Sequence, residues 1–373
     1  MTGNPITGSA PAEYHIGLMS GTSLDGADAV LADFRADQPE ILGHAHLPYP
    51  RSLREQLLEL HRISGGEIEK AELIAITLSR LYAQCVAMLL ENAAVPKQAI
   101  AAIGCHGQTV RHRPESGYSV QLVNSPLLAE LTGITVVSNF RNRDIAAGGQ
   151  GAPLVPAFHA AMLRSPKVHR AVLNLGGIAN LTDLPAKGPV TGFDCGPANM
   201  LMDAWIESNL GKTYDESGNW ASSGKVINDL LESLMQDGYF RQAPPKSTGR
   251  DRFNLEWLKS RLRGGEDPAD VQATLLQLTA RSIAEAIRAH CAGVREIYLC
   301  GGGAYNALLR KTLEGLLPGL SFALTDELGI GACHMEAAAF AWLARQAMKG
   351  LPGNLPEVTG ARGKRILGAI HPA

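Results

Sequence analysis

From Ile16 to Leu31 the chain reads Ile-Gly-Leu-Met-Ser-Gly-Thr-Ser-Leu-Asp-Gly-Ala-Asp-Ala-Val-Leu: an apolar strand, a tight turn rich in Gly, Ser and Thr, and a second apolar strand. Between two strands, such a turn presents backbone N–H groups and hydroxyls to one point, which is how proteins hold phosphate oxygens. Asp25 and Asp28 stand in or just after it, where carboxylates orient a magnesium ion or its bound waters. Anion donors beside cation acceptors point to a nucleotide with its metal. Taken alone, the same residues also read as an ordinary hairpin with a polar loop.

The pattern recurs. Arg170-Ala-Val-Leu-Asn-Leu-Gly-Gly-Ile-Ala-Asn-Leu-Thr182 is again strand, glycine turn, strand, with Asn174 and Asn180 as its polar groups. Gly176 and Gly177 let a ligand approach the backbone with no Cβ in the way. Near the C-terminus, Glu296-Ile-Tyr-Leu-Cys-Gly-Gly-Gly-Ala-Tyr-Asn306 is a short strand ending in three glycines ahead of a helical pattern, a junction that offers a nucleotide a flat surface and a helix dipole. Three such sites in this order are the layout of the actin-like, sugar-kinase ATPase superfold. That layout predicts an α/β chain of two lobes with a cleft between them: a tail over 1–13, a first lobe over 14–152 and a second over 153–373. The ATP contacts expected are Gly21, Thr22, Ser23, Leu24, Asp25, Gly26, Ala27 and Asp28 from the first turn, Gly176, Gly177 and Asn180 from the second, and Gly301, Gly302 and Gly303 from the third. Asp25 is the expected partner of Mg²⁺.

Length and composition agree. A chain of 373 residues that is 45% hydrophobic and 19% charged, with a formal net charge of −2, has ample core for two domains. The near-neutral balance, with no basic run or aromatic platform, argues against nucleic acid. No uninterrupted apolar stretch predicts a membrane span; the nearest, Leu78 to Val95, is broken by Ser79, Arg80, Gln84, Glu91 and Asn92. Met1 to Ala12 lacks the basic start and apolar middle of a secretion signal. Six cysteines without a Cys-x-x-Cys pair read as free thiols of a cytoplasmic protein. Short apolar runs alternate with helical periodicities, among them Val271, Leu275, Leu278, Ser282 and Ile287 behind Glu266-Asp-Pro-Ala-Asp, which is the pattern of α/β layers.

Four polar clusters outside the nucleotide turns are candidates for the substrate. They are Gly104-Cys-His-Gly-Gln-Thr-Val-Arg-His112, Ser138-Asn-Phe-Arg-Asn-Arg-Asp-Ile-Ala-Ala-Gly-Gly-Gln-Gly151, Thr191-Gly-Phe-Asp-Cys-Gly-Pro-Ala-Asn199, and Glu336 early on an Ala-rich helix. Arginine in the second suits a carboxylate-bearing ligand through a two-pronged contact. The substrate set expected is His106, Gln108, Asn124, Arg143, Asp144 and Glu336. Each has a plainer reading: His106 as a hydrogen-bonded structural histidine, Arg141, Arg143 and Asp144 as a solvated ion-pair network, Asp194 as a helix cap, Glu336 as a complement to a helix dipole.

Gly-Leu-Met-Ser-Gly-Thr-Ser-Leu-Asp-Gly, His-Gly-Gln-Thr-Val-Arg-His, Phe-Asp-Cys-Gly-Pro-Ala-Asn and Lys246-Ser-Thr-Gly-Arg-Asp-Arg-Phe-Asn254 together resemble the anhydro-N-acetylmuramic acid kinases of bacterial cell-wall recycling, over about Tyr14 to Pro372. The resemblance implies ATP at Gly21 through Asp28. It implies hydrolytic opening of a 1,6-anhydro ring coupled to phosphoryl transfer, giving N-acetylmuramic acid 6-phosphate and ADP. It makes Asp194 the general base and Glu336 a substrate contact, and it suggests a homodimer. Where related sequences carry three arginines after the Phe, this chain reads Phe140-Arg-Asn-Arg-Asp144, so the middle arginine's role has no counterpart at Asn142. A kinase of another sugar, or an ATPase of the same superfold not directed at sugars, is the alternative.

Overall fold

The computed structural model describes residues 14–21, 24–36, 39–60, 65–250 and 252–373. Thr22, Ser23 and the expected tail over 1–13 lie outside the described residues. In chain order the strands are β1 (Tyr14–Met19), β2 (Gly26–Asp33), β3 (Glu40–Pro48), β4 (Ile100–Cys105), β5 (Gln108–Arg113), β6 (Tyr118–Leu122), β7 (Val136–Ser138), β8 (Arg170–Leu175), β9 (Ile178–Leu184), β10 (Thr191–Pro197), β11 (Glu296–Cys300), β12 (Ser321–Leu324) and β13 (Ala369–His371).

Two sheets carry the architecture. The first has the order β13-β7-β4-β1-β2-β3 and the second β10-β9-β8-β11-β12. In each, three strands run antiparallel as a meander, and two later strands extend the sheet parallel to the meander's first strand. The echo between the two glycine hairpins in the sequence therefore extends to a whole five-stranded unit built twice, as the actin-like reading predicts. Buried parallel strands read as apolar runs, and β4, β8 and β11 do so.

Helices cover the first sheet on both faces. Helix Glu67–Ala93 buries Ile74, Leu78, Tyr82, Cys85 and Leu89 against one face. This helix is long and apolar enough by length and composition to cross a membrane. Its buried stripe on β2 and β3 makes it a core helix here. On the opposite face lies the Ala-rich helix Met335–Met348, which buries Ala337, Ala338, Ala341 and Ala344. Contact is so close that a Cβ on Gly17 of β1 would overlap the Ala337 carbonyl, and one on Gly104 of β4 the Phe340 carbonyl. In the second lobe, helix Pro268–His290 is capped by Asp267, whose carboxylate accepts from Ala269 N–H at 2.8 Å. The stripe from Val271 to Ile287 is buried as its periodicity predicts.

One expectation needs correction. The second lobe does not run to the C-terminus: helix Met335–Met348 packs on β1 and β4, and β13 pairs with β7, so the chain returns to the first lobe. In the Gly104–His112 cluster, Gln108 opens β5, which pairs with β6 in a small separate sheet. The segment Gly218–Gly224 contains the short helix Asn219–Ser223.

Candidate active site

The first glycine turn joins β1 to β2 and is braced from below. Gly21 O accepts from Gln108 Nε2 at 3.2 Å, Ser20 Oγ donates to Gln108 Oε1, and Ser20 also shares a 2.6 Å hydrogen bond with the Tyr49 hydroxyl. Both ends of the amide of Gln108, an expected substrate contact, are thus engaged by Ser20 and Gly21. Asp25 is exposed at the mouth. Asp28 faces His46 across the β2–β3 pair and accepts from its Nδ1 at 2.8 Å. Burial raises its carboxyl above the ordinary range, with His46 opposing.

The second turn is fixed by the helix that follows β10. Gly176 O accepts from Asn199 N–H at 3.0 Å, and Gly177 O from Ala198 and Met200 at 2.9 and 3.2 Å. The third turn lies on the second. A Cβ on Gly301 would overlap Asn174 and Leu175, and one on Gly303 would press on Asn199, whereas Gly302 has no atom within 4 Å of that position. The result is a bare ledge over the second hairpin, which fits a nucleoside. Gly301 N–H donates to Ala332 O at 2.8 Å. Two residues on, the His334 ring meets His44 of β3 at 4.2 Å between centroids and acts electrostatically on Asp28. Segment Ala332–His334 therefore ties the third turn to the first hairpin.

Across the cleft, Asp203 projects from helix Asn199–Leu210, the helix seated on the second turn. Burial pushes its carboxyl up to about 7, Arg250 opposes, and Asp25 pushes further in the same direction. Burial likewise raises Glu336 to about 7, with Arg141 opposing and Asp28 and Asp25 adding to the rise. A cation beside Asp25 would relieve the part of both rises that comes from the Asp25 charge. Among the described residues no three His, Cys, Asp or Glu side chains form a ligand set for a metal ion. The donors therefore fit magnesium held through phosphate oxygens and water, which is its usual habit.

Asp194 sits at the middle of β10, which continues to Pro197, and is buried to 6% exposure. One carboxylate oxygen accepts from Asn180 Nδ2, the other from Thr248 N–H at 2.9 Å. Its own N–H donates to Lys246 O at 3.2 Å, and its carbonyl accepts from the Tyr239 hydroxyl at 2.8 Å. It caps no helix, because helix Asn199–Leu210 begins at Ala198 without a side-chain cap. Burial raises its carboxyl to about 6, against the pull of Thr248, Asn180, Arg141 and Lys246. Asn180, expected at the nucleotide, is thus drawn to the acid. Its Oδ1 accepts from Asn174 at 3.3 Å while its Nδ2 serves Asp194.

Arg141 is the cation between the two acids. Its Nη1 donates to Gly151 O and its Nη2 to His106 Nε2, both at 2.8 Å. Burial lowers the guanidinium to about 10, and Glu336, Asp194 and Asp144 oppose that shift in this order. An acceptor role at Nε2 places the neutral imidazole's proton on Nδ1 of His106, a buried donor without a hydrogen-bond partner among the described residues. Burial, then Arg141, holds His106 well below its ordinary value.

Two of the expected substrate contacts, Asp144 and Asn124, hold scaffold hydrogen bonds. Asp144, fully buried, accepts from Gly151 N–H, Asn354 Nδ2 and Thr359 Oγ1 at 2.8, 2.7 and 2.8 Å, which staples the cleft loop to the C-terminal segment. Asn124 caps helix Ser125–Thr132, accepting from Leu127 N–H at 3.0 Å. Arg143 is exposed. Arg141 and Arg143 are two apart on helix Phe140–Ala146, hence on opposite sides of it, whereas Arg141 and Asp144 are three apart and share a face. That spacing was the available signal for choosing Arg141. No local signal marked Asp203 or Arg250.

The sequence pattern of the anhydro-N-acetylmuramic acid kinase family matches residues 13–373. A protein named anhydro-N-acetylmuramic acid kinase from Nitrosospira multiformis is 57% identical over 364 residues, covering 97% of this chain and 100% of that one. One of the same name from Nitrosomonas europaea is 56% identical over 362 residues, covering 96% and 100%. Among solved structures, a ROK family glucokinase from Streptomyces griseus in complex with glucose and AMPPNP is similar with a TM-score of 0.40 and 14% identity, over 89% of this chain and 99% of that one. The full-length match and the identity of these relatives establish that this chain belongs to the anhydro-N-acetylmuramic acid kinase family.

Proposed function

We propose that the protein opens the 1,6-anhydro ring of 1,6-anhydro-N-acetylmuramic acid with water and transfers the γ-phosphoryl group of ATP to the 6-oxygen, giving N-acetylmuramic acid 6-phosphate and ADP. The observation that carries this reading is the placement of Asp194. It is a buried carboxylate held at both oxygens, with Arg141 acting on it and on Glu336, while Glu336 senses the aspartates of the first phosphate turn.

An anhydro sugar has no free 6-hydroxyl, because that oxygen bridges to the anomeric carbon. The bridging oxygen becomes a phosphoryl acceptor only as its bond to that carbon breaks. A water must then reach the anomeric carbon from the opposite face and lose a proton. With its carboxyl at about 6, Asp194 is mostly ionised at neutral pH and close to the best value for a general base. The arrangement joins the logic of an inverting glycosidase to that of a kinase. On the nucleotide side, the turn at Gly21–Asp28, the turn at Gly176–Gly177 and the Gly301–Gly303 ledge would hold ATP. Charge neutralisation at the transferring phosphoryl group is what a bound magnesium ion supplies, with Asp25 and Asp203 as the carboxylates that fit its water shell. The family resemblance also supports a cytoplasmic homodimer, which light scattering would test.

The test is incubation with ATP and 1,6-anhydro-N-acetylmuramic acid, following ADP and the phosphorylated sugar together. Asp194→Asn is expected to lower turnover by at least about 10²-fold with ATP binding retained. Undiminished turnover in that variant removes the base. Preferential phosphorylation of a sugar with a free 6-hydroxyl removes the substrate.

A further inference from the structure

Beside Cys195, the residue that follows Asp194 in β10, lies a cavity of about 360 Å³. Its walls are the last turns of helix Pro268–His290 and the segment from Phe240 to Lys246. The pairing of β10 with β9 steps from Asp194↔Asn180 to Gly196↔Ala179, which leaves Cys195 as the extra residue of a bulge. A bulge re-aims the side chains around it. Here the Asp194 carboxylate goes to Asn180 and Thr248, and Cys195 lines the cavity.

The polar lining is cationic. Lys246 Nζ donates to Tyr239 O at 3.2 Å and lies 4.7 Å from the Tyr239 ring centre. An ammonium has two further hydrogens to give. Arg241 uses Nη2 on Gln236 O at 3.2 Å and keeps the rest of its donor fork. The His290 ring stands edge-on to Phe193 at 5.0 Å. Glu285 is the carboxylate in the wall, and Arg281 already pairs with it at 2.9 Å. Phe240 and alanines complete an apolar side. Size and lining match a small-molecule site.

We propose that this cavity binds a small phosphorylated sugar, with Lys246 and Arg241 on the phosphate and Phe240 against the ring, and that its occupancy acts on Asp194. The coupling runs through one loop. Lys246 O accepts the Asp194 N–H, Thr248 N–H holds the Asp194 carboxylate two residues further on, and the Tyr239 that receives the Lys246 ammonium donates its hydroxyl to the Asp194 carbonyl. A ligand that draws the Lys246 ammonium away from Tyr239 O shifts the groups that hold the base.

Calorimetric titration of the full-length protein with glucose 6-phosphate, with a non-hydrolysable ATP analogue present throughout, tests this. Glucose 6-phosphate is expected to bind at one site per chain, and glucose not at all. Arg241→Glu is expected to weaken glucose 6-phosphate at least 10-fold while leaving nucleotide affinity within twofold. In turnover assays glucose 6-phosphate should change kcat for the native protein and not for Arg241→Glu. No binding, binding indifferent to Arg241→Glu, or competition by 1,6-anhydro-N-acetylmuramic acid overturns the site. Equal affinity for inorganic phosphate overturns the sugar, and binding without an effect on kcat overturns the coupling. Binding is read without turnover, so a protein that binds glucose 6-phosphate but does not phosphorylate the anhydro sugar would sink the kinase reading alone.

Discussion

A base must be both ionised and aimed, and at Asp194 two neighbours perform both tasks. Asn180 and the Thr248 N–H occupy one oxygen each and favour the charged form, while burial favours the neutral one. Hydrogen bonds to an ionised carboxylate are stronger than neutral ones, so losing the Asn180 contact leaves burial less opposed. Asn180→Ala is therefore expected to move the acidic limb of kcat/KM upward from about pH 6, because a higher pKa in the free enzyme requires a higher pH to ionise the base. It should also lower kcat about 10-fold or more through lost orientation. A pH–rate profile that coincides with that of the native protein would remove Asn180 from this role. The same profile in Asp194→Asn has no base left to report.

Among the elements, helix Met335–Met348 decides the shape of the cleft. It carries Glu336 in its first turn and presses its small side chains on β1 and β4, where Gly17 and Gly104 leave room for its backbone. The nearest atoms opposite those glycines are main chain, with the Ala344 Cβ also facing Gly104. Overpacking against backbone costs about 1–3 kcal/mol or more. Gly17→Val is expected to lower the urea midpoint accordingly and to cut activity by displacing Glu336, and an unchanged midpoint would contradict the close contact. The alternation of Ala along Ala332–Ala347 announced a helix, but nothing in it named the partner. Such a helix gains its burial from area shared with a sheet, and which sheet depends on where the rest of the chain leaves a face uncovered.

On the scale of the whole molecule, two copies of one sheet meander meet at a cleft whose acids are held partly protonated. Asp194, Asp203 and Glu336 are raised to about 6, 7 and 7. The native state thus holds protons that the unfolded chain releases between about pH 4 and 7, and for these groups stability falls as pH rises through that window. Buried His112 and His159, lowered to about 4 and 3, act in the opposite sense, since the unfolded chain binds protons there that the native state refuses. The two sets oppose each other in the native protein, so the difference from a variant isolates one group. Glu336→Gln should gain stability relative to the native protein as pH is raised from 4.5 to 7, by no more than about 1.4 kcal/mol for each pH unit. A constant difference across that range would show that Glu336 is not held in its neutral form. The strands, the three glycine turns, the helical stripes and the family were legible in the sequence, because each is written in residues a few positions apart whose periodicity or backbone freedom is local. Only the tertiary structure decided that Asn180 serves Asp194, that Asp144 and Asn124 hold scaffold hydrogen bonds, and that the last strand returns to the first sheet. Those outcomes join positions as far apart as Asp144 and Thr359, and such a contact is fixed by how whole elements pack, which no short stretch of sequence contains.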